Sequence, residues 1–462
     1  MNKEQATEAV MFLLGQHASR DVRLSRIRDA MRPWDASLAR RKLAVSQSTV
    51  LSHPLDKLMA RSQTNFLPLI LDQFSQSLKV ADYFTADDYE SAGPWKHWQR
   101  NSLDARQTGV HRATLQYGEA YVVVTPGGVK DAPVIRGVSP TRMVALYGEP
   151  IEWKAEDYGP VDTDWPMMAL EIRDQSMRLY DEEFVYFFGA KSAPSLASGW
   201  LEQPYKSPRN LEFIEKRPHG VGVVPVVRFR DRQLLDGEEQ SGIIEPLINI
   251  QDRIDETTFE MSAAQYFAAF KQRYVMGWVP DDEAAGLKMK AADTWFFEDP
   301  EVKAGQFDET PLDGYIASKN SAVRDLAAIA QVPAQNLGSD SVSNISAEGL
   351  ASLESARDRK SSEIQTSLGE SWEQVFRTAA FIEGDEKAAA DFQSEVKWED
   401  ATARSFAQQV DGLGKLATML DVPVEALWEL IPGWDRGMAR RAARLAESRP
   451  SLAGLDGQGL SS

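Results

Sequence analysis

Two long helical patterns in the second half of the chain constrain its fold more than any other feature. The first runs from Ile243 to Tyr274 and contains no proline after Pro246. At 1.5 Å per residue, a helix of this extent would be about 45 Å long. Its apolar residues recur at mostly three-, four- and seven-residue steps, as they do on one helical face: Ile243, Leu247, Ile250, Ile254, Met261 and Ala268.

The second pattern begins at Ser346 and ends at Ile382, and its apolar positions also follow a helical period. These positions are Leu350, Leu353, Ile364, Leu368, Trp372 and Phe376. Both patterns are longer than the usual globular helix of about three turns. We therefore expect struts of an assembly more than walls of a pocket.

Charge and cysteine content exclude several classes of protein. The chain has 462 residues, enough for two to four domains, and its net charge is −18. This charge argues against tight binding of nucleic acid, which usually needs a basic face. An acidic protein could still surround DNA that must slide without sticking. Solubility alone also explains the charge. The absence of cysteine excludes disulfides and thiolate chemistry. Without an apolar run near 18 residues or a signal-peptide pattern, the sequence predicts a soluble, unsecreted protein.

The hydrophobic period changes near Gly118. Residues 1–115 follow helical patterns, and the basic residues before position 43 favour a solvated face over a partner site. Strand candidates with β-branched and aromatic residues follow, separated by turn residues: Ala120–Thr125, Val134–Val138, Met143–Tyr147, Ala169–Arg173, Met177–Tyr180, Phe184–Phe188 and Val223–Arg228. Helices followed by an antiparallel or mixed sheet predict an α+β fold.

An acidic insert follows the first long pattern. Its strand candidates are Tyr274–Val279 and Thr294–Phe297, and a helical pattern at about Pro311–Gln331 comes next. The carboxylates of the insert are Asp281, Asp282, Glu283, Glu298 and Asp299.

A polar loop separates this helix from the second long pattern. Its small and polar residues are Gln335, Asn336, Gly338, Ser339, Asp340, Ser341, Ser343 and Asn344. Beyond the second long pattern, a strand is predicted at Phe392–Trp398 and helices at Thr402–Ser448, and the tail from Arg449 is expected to be flexible.

No motif supports an enzyme. None of the five histidines lies three or four residues from another, so a helical two-histidine metal motif is absent. Gly414-Lys415 resembles the end of a phosphate-binding loop, but Gln409 and Leu416 occupy positions that need Gly and Ser or Thr. No Gly-x-Ser-x-Gly occurs, and the acidic clusters lack calcium-loop spacing. We expect no catalytic residue, no metal and no cofactor.

Several blocks in a fixed order nevertheless resemble one known family. The blocks are Val224–Arg232, Ile244–Asp252, Arg324–Pro333, Ala347–Leu350 with its continuation through Trp372, and, upstream, Asn101–Arg112 and Tyr117–Tyr121. Together they resemble the portal proteins of tailed bacteriophages, in the branch found in siphophages of Gram-positive hosts. The resemblance covers about residues 60–400.

The resemblance implies a particular division of the chain. Residues 1–242 would form an N-terminal region and wing, 243–274 the first stem helix, 275–309 a small mixed α/β clip and 310–333 the second stem helix. The tunnel loop would span 334–345. A long wing helix and returning strand (346–400), a helical crown (401–448) and a flexible tail (449–462) would follow.

The resemblance also implies a function. About twelve copies would form a ring at one capsid vertex, the conduit for DNA packaging and ejection. Implied partners are double-stranded DNA, bound without sequence specificity, the large terminase, a head–tail adaptor, and the major capsid and scaffolding proteins, with no membrane. The ring would be assembled in the host cytoplasm and belong to the virion. The clip carboxylates would dock partners.

Residue chemistry agrees with the proposed channel. Asp252, Asp255, Glu256 and Glu260 give the first stem helix an acidic face, which would repel DNA at every azimuth and prevent sticking. Short polar groups in residues 334–345 could make and break phosphate contacts, with Gly338 providing flexibility. An ordinary helix–helix connection explains that loop equally simply. Two other functions remain possible: a head–tail adaptor or minor capsid protein without DNA contact, and a cytosolic hydrolase.

Overall fold

The structure is a computed structural model that describes residues 1–32, 58–59, 61–85, 93–127, 132–147, 165–173, 176–190, 211–234, 241–269, 273–276, 303–306, 311–338, 347–399, 406–431, 434 and 436–447. The chain divides into two units, Met1–Glu399 and Asp400–Ser462. The helices of the first unit are α1 (Lys3–Ala30), α2 (Leu67–Ser75), α3 (Trp95–Arg100), α4 (Leu103–Tyr117), α5 (Ile248–Ala269), α6 (Asp313–Ala330), α7 (Ala347–Glu383) and α8 (Glu386–Ala389).

The strands form four antiparallel sheets among the described residues. Strand bounds are β1 Val80–Phe84, β2 Glu119–Pro126, β3 Pro133–Val138, β4 Met143–Leu146, β5 Met168–Ile172, β6 Ser176–Tyr180, β7 Phe184–Ala190, β8 Leu211–Pro218, β9 Val226–Arg230, β10 Arg273–Met276, β11 Lys303–Gln306 and β12 Glu395–Trp398. The sheet orders are β3-β2-β9, β4-β5-β6-β7-β8, β1-β12 and β10-β11. Helices and strands together confirm the α+β fold.

Strand β2 is buried on both faces, which explains its continuous apolar sequence. Val122 and Val124 point into the main core beside the helices, whereas Tyr121 and Val123 pack against the five-stranded sheet. On the other face of that sheet lie Ala6, Val10 and Leu13 of α1. A partly buried ion pair also joins the two sheets: Nη1 and Nη2 of Arg136 donate to Glu171, at 2.6 and 2.8 Å.

The main core is centred on α7. Trp372 is fully buried and contacts Trp98 and Phe229 edge-on, with ring centroids 4.9 and 4.8 Å apart. Its Nε1–H donates to His111 Nε2 at 2.8 Å. Each such aromatic pair adds about 0.5–1.5 kcal/mol beyond area burial. The second long helical pattern is therefore a helix whose apolar face belongs to the core of the first unit.

Several element predictions are confirmed and others are wrong. The second long pattern is one helix of 37 residues, and all seven strand candidates between 120 and 228 have a matching strand. Before residue 230, two of the strands in the described residues were missed. β1 lies inside the segment predicted to be helical and pairs with β12, and β8 pairs with β7 as an edge strand with four charged residues. Pairing across the fold, which local patterns do not contain, decided both.

The first long helix is shorter than predicted. A 3-10 turn at Glu245–Leu247 leads into α5, which ends at Ala269, and β10 begins at Arg273 instead of continuing the helix to Tyr274. β10 pairs within the chain with β11, a strand that was not predicted. The predicted strand Thr294–Phe297 lies outside the described residues.

The second unit is helical where it is described. Its helices are α9 (Phe406–Met419), α10 (Val424–Leu427) and α11 (Arg436–Glu447), with a 3-10 turn at Trp428–Leu430. The tail from residue 449 lies outside the described residues. No helix in the described parts of the chain is long and apolar enough to cross a membrane.

Candidate DNA-channel surface

Helix α5 separates a packed face from an acidic face. Ile254 and Thr258 are buried, and Gln251 is buried on the same side. Asp252, Glu256 and Glu260 follow one another at four-residue steps and are exposed. Since residues four apart are neighbours on a helix, these three acids form one stripe, which we call the acidic stripe.

Asp255, the fourth predicted channel-facing acid, lies on a different side. It is half-buried, and its Oδ1 accepts hydrogen bonds from the Thr64 backbone N–H at 3.1 Å and from Gln251 Nε2 at 3.0 Å. Gln251 also accepts from the Phe66 N–H at 2.9 Å and donates to Thr64 O at 2.8 Å. Asp255 and Gln251 therefore anchor the segment before α2 to α5. Sequence reasoning missed Gln251, because its long-range partners follow no local pattern.

Two further contacts hold α5 in place. Arg23 of α1 makes a bidentate pair with Glu245, in which Nε and Nη2 each lie within 2.9 Å of a carboxylate oxygen. Arg26 donates to Asn249 Oδ1 at 2.6 Å. The prediction of a solvated basic face on the N-terminal helix is wrong for Arg23, which is partly buried in its pair with Glu245, whereas Arg26 is exposed as predicted. Bidentate pairs fix orientation as well as adding energy, so α1 sets the direction in which α5 leaves the core.

Helix α6 packs along α5 and ends in a defined turn. Arg253 and Asp325 pair at 2.6 Å across the two helices, but both are about half exposed, so the pair adds little stability. Leu326 and Ala330 of α6 are buried. Gln331 adopts φ 61°, and Val332 donates to Ala327 O at 3.0 Å, which closes the helix as a Schellman-type cap.

The first part of the predicted tunnel loop is regular structure. Ala334–Leu337 form a 3-10 turn with Leu337 buried, and Asn336 Nδ2 donates to Gln73 Oε1 at 3.3 Å. Gly338 has φ 78°, so it caps this turn in the left-handed region that favours glycine. The flexibility expected of Gly338 stays a prediction, and the structure adds a backbone geometry that favours glycine at this position. Ser339, Asp340, Ser341, Ser343 and Asn344 lie outside the described residues.

The predicted clip is described only at its base. β10 and β11 pair from Arg273 with Gln306 to Met276 with Lys303. The predicted partner-docking acids Asp281, Asp282, Glu283, Glu298 and Asp299 lie outside the described residues. In the part of the chain that is described, no group of three or more histidine or carboxylate residues could hold a metal.

A cavity of about 270 Å³ lies between the residues that follow β9, the 3-10 turn before α5, the end of α6 and the middle of α7. Asp231 is buried at its wall, and its Oδ1 has no hydrogen-bond partner among the described residues. Burial raises the pKa of Asp231 to about 6, and burial with the nearby Arg232 charge lowers the pKa of Lys360. The junction between the long helices and the core is therefore polar and incompletely paired.

The order of these parts has a counterpart in a known family. The profile of the family described as "Phage portal protein, SPP1 Gp6-like" matches residues 18–449, more than nine-tenths of the chain. The chain belongs to this portal family. Its curated relatives include the portal proteins of Mycobacterium phages D29 and L5, each 24% identical across 75% of this chain and 71% of the relative.

Solved structures that match this chain include chains from gene transfer agent particles. The virion of the native particle contains a chain with 12% identity and a TM-score of 0.46, covering 85% of this chain and 98% of that one. A chain from the neck of the empty particle, computed with C6 symmetry, has 12% identity and a TM-score of 0.47, covering 80% of this chain and 90% of the other.

Membership of the portal family decides between the functions left open by the sequence. A portal protein is a structural component of the phage particle, and its subunits form a ring through which the genome is packaged. Neither an adaptor without DNA contact nor a cytosolic hydrolase accounts for a family match along almost the whole chain.

Proposed function

We propose that about twelve copies of the chain form the portal ring and that α5 and α6 form the stem around its DNA channel. The acidic stripe of α5 carries this proposal. Three carboxylates at four-residue steps would be repeated around the ring, giving the channel a negative lining. Such a lining repels the DNA phosphates from all sides, so the electrostatic energy of DNA in the channel has no deep minimum at which the DNA would stop.

We propose the remaining divisions of the chain from its membership of the portal family. Residues 1–242 and 346–400 would form the wing, 275–309 a clip that docks the large terminase and later a head–tail adaptor, and 401–448 a crown. Residues 334–345 would face the channel, anchored by the 3-10 turn at Ala334–Leu337. The wing would contact major capsid and scaffolding proteins during assembly in the host cytoplasm.

The relatives support a class of host without identifying the host species. Portal proteins of two mycobacteriophages match most of this chain, which supports a siphophage of a Gram-positive host. Growth of the phage on such a host, with this chain recovered from purified virions, would test this assignment directly.

Ring formation is tested with the purified chain. Twelve subunits of 51.5 kDa should sediment as a particle of about 0.6 MDa and appear as discs in negative stain. A protein that remains monomeric to tetrameric at micromolar concentration would contradict the ring.

The channel assignment is tested by reversing charge on the acidic stripe. Asp252→Lys with Glu256→Lys should leave ring assembly intact and slow DNA packaging, because each added cation creates a salt-dependent phosphate contact. The matched control is Glu182→Lys with Glu183→Lys, an equal charge change on the exposed β6–β7 turn. Equal packaging rates for the two variants would refute the placement of α5 at the channel.

A further inference from the structure

Helix α11 concentrates positive charge in an acidic chain. The chain as a whole carries −18, yet Arg436–Glu447 holds four arginines, no lysine and one acid. Such a reversal of charge within twelve residues points to an anionic partner. The arginines are Arg436, Arg440, Arg441 and Arg444.

The arginines share one side of the helix. Arg436, Arg440 and Arg444 recur at four-residue steps, and Arg441 lies beside them at 100° per residue. Ala439, Ala442 and Ala446 lie on the other side, where Ala439 is buried and the helix packs against the 3-10 turn Trp428–Leu430. Arg441 and Arg444, more than a third of a turn away from Ala439, are exposed.

Arg441 and Arg444 are used differently from the arginines of the first unit. Arg23, Arg136 and Arg253 each pair with a carboxylate of the chain. Arg441 and Arg444 are exposed, and among the described residues neither has a hydrogen bond or an ion pair. These two charges therefore do not stabilise the fold through contacts with the described residues.

We propose that α11 binds the phosphate backbone of double-stranded DNA without sequence specificity. Guanidinium groups match phosphate geometry and remain charged at all physiological pH values. A four-residue step along the helix is about 6 Å, close to the roughly 7 Å that two nucleotides of one strand span along the duplex axis. This inference rests on the proposed function, because the genome is the polyanion that a portal meets.

The site is tested with the full-length protein and a fluorescent 30-base-pair duplex of random sequence. Binding is followed by anisotropy from 50 to 300 mM KCl for the wild type, for Arg441→Gln with Arg444→Gln, and for Arg441→Lys with Arg444→Lys. The control is Lys216→Gln with Arg217→Gln, an equal loss of charge from two exposed residues of β8.

The glutamine pair should weaken binding at least tenfold at 50 mM KCl. It should also reduce the slope of log affinity against log salt by about 2 for each helix that engages DNA, since each phosphate contact contributes about 0.9. The lysine pair should keep the slope and the control should behave as wild type. Unchanged affinity in the glutamine pair, or no binding by the wild type at 50 mM KCl, would overturn the proposal.

The arginines of α11 could instead bind an acidic surface of the neighbouring subunit in the ring. Sedimentation distinguishes this alternative from DNA binding, because it measures whether the rings stay intact. Intact rings with weaker DNA binding support the DNA site. Rings that fall apart in the glutamine pair would show instead that α11 holds subunits together, and would overturn it. A wild-type protein that forms no rings would contradict the proposed function itself, whatever the anisotropy shows.

Discussion

Lowering the pH should destabilise the first unit through one buried histidine. The His111 ring is completely buried between α4 and α7. Its Nε2 accepts the indole N–H of Trp372, so the proton of the neutral ring is on Nδ1, which donates to Leu78 O at 3.0 Å. Burial lowers the pKa of His111 to about 4. A protonated ring would have to leave Trp372 unpaired and carry a charge in an apolar core.

The sign and size of the effect follow from linkage. In the unfolded chain His111 takes its ordinary pKa near 6.5. Because the folded pKa is lower, the unfolded state binds protons first, and stability that is full above pH 6.5 is lost as the pH falls towards 4. Between pH 7.5 and pH 5 this group should remove about 2 kcal/mol from the free energy of unfolding.

Urea unfolding at pH 7.5 and pH 5 measures this loss for wild type and for His111→Gln, which keeps a donor and an acceptor but does not titrate. The comparison is needed because Asp231 and Glu373, whose pKa values burial raises to about 6 and about 7, change stability in the opposite direction in both proteins. Wild type should lose about 2 kcal/mol more than the variant over this interval. An identical pH dependence for the two proteins would refute the neutral, buried state of His111.

Two further substitutions test the connections around α5. Gly242→Ala should cost at least about 2 kcal/mol of stability, because Gly242 has φ +63° and an added Cβ would meet Leu115 O at 2.6 Å; an unchanged melting temperature would contradict this. Gln251→Ala should cost about 1–3 kcal/mol, since the partly buried Phe66 N–H loses its acceptor. Glu256→Ala, on the exposed face of the same helix, should change the melting temperature far less, and equal shifts would count against the anchoring role of Gln251.

Strong periodicity explains which elements could be predicted. α7 begins and ends within a residue of its predicted bounds, because its apolar face repeats over ten turns with no proline. β2 was equally clear, since β-branched residues end at the turn residues Pro126-Gly127. Two of the blocks that carry the family resemblance, Tyr117–Tyr121 and Ala347–Trp372, overlap these two elements.

Contacts between distant residues explain what could not be predicted. β1 has no strand period of its own and exists because it pairs with β12, more than 300 residues later. The four acids of α5 looked equivalent in sequence, yet Asp255 turns to Thr64 while Asp252, Glu256 and Glu260 remain exposed. Helical spacing defines the angles between side chains around a helix, but only packing decides which of these side chains face the core.

The sequence by itself therefore determined the fold class, the long helices, most strands and the portal family, because each depends on residue order along the chain. The tertiary structure alone decided which face of α5 is buried, how α1 ties it through Arg23, and that residues 334–337 form an anchored turn. It also showed that Arg441 and Arg444 lack partners within the described residues. These properties arise from contacts between segments that are remote in sequence, and such contacts leave no local pattern to read.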